Sequence, residues 1–77
     1  MNETTSIIRI GSRVRTRERD GHAEFSIVSP EDADAAAGQV SAESPLGRAL
    51  LGRQVGDEVR FRAPAGVLSV TVVEVNS

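Results

Sequence analysis

Two stretches of the chain alternate and one repeats with helical period. From Arg13 to Arg19 every second residue is Arg, with Val14, Thr16 and Glu18 between them, the pattern of a half-buried strand. Ile7 to Ile10, short and rich in β-branched residues, reads as the beginning of that strand, and Asp20-Gly21 as a hairpin turn. A two-residue turn there pairs Val14 with Ile27 and Thr16 with Phe25 on one face, and Arg17 with Glu24 and Arg15 with Ser26 on the other. Slipping the register by one residue would expose Phe25 and Ile27, so the pattern specifies the faces strongly.

Glu58 to Val75 reads as a second hairpin, turning around Pro64-Ala65-Gly66. An even-length loop pairs Val59 with Val72, Phe61 with Val70 and Ala63 with Leu68, and leaves Arg60, Arg62, Ser69 and Thr71 outside. A three-residue loop would turn Ser69 and Thr71 inward, so the even loop is favoured.

Between the hairpins the period changes. Ser41 to Gly52 carries Leu46, Ala49 and Leu50 at i, i+3 and i+4, with Ser44 as N-cap, Pro45 at the first helical position and Gly52 just past the end. So short a helix is far below the ~12 to 15 residues at which an isolated one is marginal in water, and tertiary packing must hold it. Upstream, Ser29 to Gly38 offers only alanines as apolar positions and reads as a surface connection with one helical turn, Ser29 capping and Pro30 first; Gln39 to Ala42 is extended and delivers Val40 to the core. The fold class expected is α+β: an antiparallel sheet of four to five strands curled over one short helix. Its expected core is Leu46, Leu50, Phe25, Ile27, Val59, Phe61, Val70 and Val72. Residues 1–6 are expected to be a disordered tail and residues 7–77 one domain.

Composition narrows the function. The 77 residues include no cysteine and a single histidine, which removes thiol catalysis, disulfides and imidazole metal clusters. Neither a membrane span nor a signal peptide is legible, so a cytoplasmic location is expected. The charge of −2 speaks against general nucleic-acid affinity, but its distribution is bipolar. Five Arg against two acids occupy residues 1–19, whereas residues 20–47 hold six acids and no Arg. An acidic middle suits a basic partner.

The candidate chemistry is thin. Glu31, Asp32 and Asp34 share one exposed turn among alanines, which offers no environment to set a catalytic acid apart from a base. Ser41 and Ser44 lack a base nearby, and helix capping is the stronger role for Ser44. The spacing of a calcium loop is missing, and no cofactor or metal site is expected. The Arg ladder of the first strand has no aromatic residue for base stacking, so a solvated face is the stronger reading and direct nucleic-acid binding is not expected. No enzymatic activity is expected.

Longer blocks carry a family resemblance. I-V-S-P-E-D-A-D at residues 27–34, G-Q-V-S-A-E-S-P-L-G-R-A-L-L-G at 38–52, V-G-D-E-V at 55–59 and A-P-A-G at 63–66 resemble the C-terminal domain of the GreA/GreB transcript-cleavage factors of bacterial RNA polymerase. The match is collinear from about Val14 to Val75. The resemblance implies an FKBP-like fold and docking near the polymerase secondary channel, on the tip of the β′ coiled coil. It places the polymerase-facing acidic loop at Pro30, Glu31 and Asp32, with Ser41, Ser44 and Pro45 as neighbouring motif positions. This chain has Glu-Asp where the family has Asp-Glu, and Ser29 where glycine is usual. The family's long N-terminal coiled coil, which drives transcript cleavage, is expected to be absent, which implies docking without cleavage and a role in regulating elongation; separately, a monomer is expected. The alternative is a stand-alone interaction domain that has lost polymerase binding. Prolyl isomerase activity, the other association of an FKBP-like fold, conflicts with a chain of two Phe and no Trp or Tyr.

Overall fold

The computed structural model describes residues 7–76, and the tail expected at residues 1–6 lies outside them. Five strands form one sheet: β1 (Arg13–Glu18), β2 (Gly21–Val28), β3 (Gln39–Ser41), β4 (Glu58–Ala63) and β5 (Gly66–Asn76), in the order β3-β2-β1-β5-β4. One helix, α1 (Pro45–Leu50), packs on β4 and β3. The pairings are antiparallel except that of β2 with β3, which is parallel, so the sheet is mixed. A parallel neighbour needs a crossover, and the connection from Ser29 to Gly38 supplies it.

In both hairpins each residue pairs with a partner two positions earlier in the returning strand than the pattern predicts. Glu18 faces Gly21 across an Arg19-Asp20 turn, which puts Val14 opposite Phe25 and Arg15 opposite Glu24. Ala63 faces Gly66 across Pro64-Ala65, which puts Val59 opposite Val70 and Phe61 opposite Leu68. A shift of two residues keeps every side chain on its face, so the inward and outward sets survive while the partners change. The glycines explain the shift: Gly21 at φ 144° and Gly66 at φ 129° open the returning strands instead of sitting within the loops.

The buried core is Ile8, Val14, Ile27, Ala42, Leu50, Val59, Val70 and Val72, with Val40, Leu46, Ala49, Leu51, Phe61 and Val75 packed around it. Phe25, expected in the core, is half-buried and outside this cluster, because α1 leans on β4 and β3 and leaves that part of β2 partly uncovered. Leu68 points inward by parity yet is 46% exposed, since the tip of the β4–β5 hairpin runs past the core. Ile8 is fully buried without belonging to a strand. Its amide donates to the Arg53 carbonyl and its carbonyl accepts from Gly52, which ties the entering chain to the end of α1. Gly52 has φ 84° as expected of a residue just past the helix, but its donor serves Ile8 and not a helix carbonyl.

Candidate functional site

The segment leaving β2 makes two single turns of 3-10 helix, Pro30–Asp32 and Ala35–Ala37, rather than one helical turn. Ser29 stands before the first without a side-chain cap; the amides of Asp32 and Ala33 donate to the Ser29 and Pro30 carbonyls. The second is capped by Asp34, whose carboxylate accepts from the Ala36 amide at 3.1 Å, and it ends at Gly38 with φ 76°. Asp34 is thus occupied by its own backbone. Pro30, Glu31 and Asp32 are exposed, and neither carboxylate has an ion-pair partner among the described residues. They form a short acidic turn with its charge facing solvent.

Next to it the chain builds the start of α1. Ser44 accepts from the Gly47 amide at 3.1 Å and donates to the Ser41 carbonyl at 2.8 Å, so one hydroxyl satisfies an orphan helix donor and pins the helix start to the end of β3. Ser41 in turn accepts from the Glu43 amide at 3.0 Å. The capping role read for Ser44 holds. Pro45 occupies the first helical turn and its ring is exposed.

Between these two pieces and the β4–β5 hairpin lies a groove of about 440 Å³. Ala33, Val40, Pro45 and Leu46 line one side of it and Phe61, Ala63 and Pro64 the other, with Ser41, Ser44 and Arg62 at its polar points. The groove therefore brings together Ser41, Ser44 and Pro45, and borders the turn that carries Pro30, Glu31 and Asp32 without including them in its lining. The contribution of the β4–β5 hairpin was not legible in the sequence. The A-P-A-G block marked it as a turn, but only the curl of the sheet carries that turn back toward α1.

Elsewhere the surface is a solvated sheet face. Arg15 on β1 lies between Glu24 of β2 and Glu74 of β5, at 2.7 and 3.7 Å, and the hydrogen bond and charge of Arg15 hold the Glu24 carboxyl below its usual range. These groups are exposed and screened, so the cluster orders the face more than it stabilises the fold. Thr16, on the opposite face of β1, is fully buried and its hydroxyl has no hydrogen-bond partner among the described residues. Among the described residues no three or more His, Asp or Glu side chains gather where they could hold a metal ion, and no helix is long and apolar enough to cross a membrane.

Fold and site together describe a small curled-sheet domain with an acidic turn beside an apolar groove. Residues 3–77 match the family model described as transcription elongation factor GreA/GreB, C-terminal, and the chain belongs to this family. Transcription elongation factor GreA of Thermotoga neapolitana is 47% identical over 72 residues, covering 91% of this chain and 46% of that protein. GreA of Thermomicrobium roseum is 45% identical over 71 residues, with coverages of 91% and 45%. Among solved structures, GreA factor homolog 1 of Thermus thermophilus superposes with a TM-score of 0.83 at 28% identity, covering all of this chain and 53% of that one. The GreA/GreB elongation factor of Nitrosomonas europaea gives 0.76 at 34% identity, covering all of this chain and 64% of that one. The chain spans about half the length of the curated relatives it matches.

Proposed function

We propose that this domain docks on RNA polymerase near the secondary channel, at the tip of the β′ coiled coil, and regulates elongation by occupying that position. The observation that carries the reading is the adjacency of an unpaired acidic turn and an apolar groove on one rim of the molecule. The two parts do different work. Glu31 and Asp32 speed encounter with a basic partner and fix its orientation, while the groove between Leu46 and Phe61 accepts an apolar side chain and slows release. Ser41, Ser44 and Pro45 form the shared border of turn and groove. On this reading docking belongs to this domain, and transcript cleavage to the coiled-coil arm to which the resemblance ascribes it.

The test is a charge reversal. Glu31→Arg combined with Asp32→Arg should lower affinity for the cell's RNA polymerase by at least about tenfold, given that rim and hot-spot charges lie in the range of 1 to several kcal/mol. The melting curve should stay unchanged, because both side chains are exposed and form no ion pair among the described residues. Undiminished binding by a folded variant would remove the acidic turn from the interface and favour a domain that meets some other partner.

A further inference from the structure

The acidic turn and the groove must keep a fixed relation for one partner to engage both, and the residues that set it lie at a single point. Gly47 is buried against the backbone of Ser41: a Cβ built on Gly47 would stand 2.0 Å from the Ser41 carbonyl oxygen and 2.9 Å from its carbon. The obstacle is main chain, so no rotamer change could relieve it. The same carbonyl accepts the Ser44 hydroxyl at 2.8 Å, and the Ser44 oxygen accepts the Gly47 amide. Three residues of one motif therefore close on one peptide group. That peptide group ends β3. Ser41 pairs with Val28, the last residue of β2, and the Ala42 amide donates to the Val28 carbonyl at 2.8 Å. The acidic turn begins directly after, at Pro30.

From this chain of contacts we infer that Ser44 and Gly47 are positioning residues for the docking site: they clamp the end of β3, and through Val28 the root of the acidic turn, at a set distance from the wall of the groove. The inference rests on the docking function proposed above and adds to it how the site is held. Ser44 needs no contact with the partner for this role. A hydroxyl at position 44 and the lack of a side chain at position 47 are what the geometry demands. Without the Ser44 hydroxyl the Gly47 amide loses its acceptor and the Ser41 carbonyl keeps only the Ser44 amide at 3.0 Å, so the helix start is held less firmly to Ser41 and Pro30–Asp32 moves relative to Leu46 and Phe61.

The experiment compares the wild type with Ser44→Ala, Ser44→Thr and Gly47→Ala, each measured at a temperature where its amide spectrum shows it folded. Two readouts are taken: affinity for RNA polymerase, and backbone amide shifts of Ser29, Glu31, Asp32 and Ala33. Ser44→Ala should shift those distant amides and weaken binding roughly tenfold, the scale of one misplaced interface contact. Ser44→Thr, which restores a hydroxyl, should return both readouts to near the wild-type values. Gly47→Ala should move the same amides further, and if it does not fold, Ser44→Ala still decides. Folded Ser44→Ala with wild-type affinity and with changes confined to residues 44–47 would overturn the clamp. Failure of the wild type itself to bind polymerase would instead sink the proposed function, while the amide shifts would still judge the clamp.

Discussion

Thr16 is a polar residue in a place built for an apolar one. It lies on β1 opposite Ala23 and Val72, at the irregularity where β1 and β5 lose register between Arg15 and Thr16. Its hydroxyl is buried without a partner among the described residues, and burying an unmatched hydroxyl costs about 1 to 3 kcal/mol. Thr16→Val keeps the shape and removes that cost. It should raise stability by about 1 kcal/mol in chemical denaturation, and an unchanged or lower midpoint would show that the hydroxyl is satisfied after all. At this scale sequence reading succeeded where the signal was local. Ser44 as cap and Pro45 as first residue follow from chemistry within four positions, and the structure has both. Gly47 carried no such signal. Its need for a bare Cα arises from the close approach of β3, six positions upstream, which only the folded chain brings about.

The elements were legible by period and less so by partner. Both hairpins were found with their faces correct and their registers displaced by two residues, since alternation fixes parity and says nothing about which of two equivalent pairings the turn selects. The parallel pairing of β3 could not be read either, because three residues are too few to carry a pattern. Helix α1 was legible from its punctuation, and its dependence on the sheet follows from its length of six residues. Leu50 is its fully buried anchor, packed within the cluster that includes Val59 and Val72. Leu50→Ala should destabilise the domain by about 2 to 5 kcal/mol in a denaturant titration. A loss under about 1 kcal/mol would mean that the core does not depend on α1, contrary to the burial of Leu50.

Over the whole molecule, the bipolar charge visible in the sequence becomes a spatial arrangement. Arg13, Arg15 and Arg17 lie exposed along β1, with Arg15 paired to Glu24 and Glu74, while the acidic turn occupies the connection between β2 and β3. What composition could not supply was the groove. Its walls come from two separate stretches of the chain, residues 33–46 and 61–64, which meet only because the sheet curls around α1. The acidic motif was therefore legible as a charge; of the groove, Ser41, Ser44 and Pro45 were legible as motif positions, but not the hairpin wall that faces them. On the proposed function these two halves form one docking surface for RNA polymerase. The most direct test is a binding titration of purified polymerase with this domain, repeated with a full-length GreA relative as competitor. Saturable binding that the competitor displaces is the predicted result. Absence of binding at low salt, where an acidic steering surface is at its strongest, would contradict it.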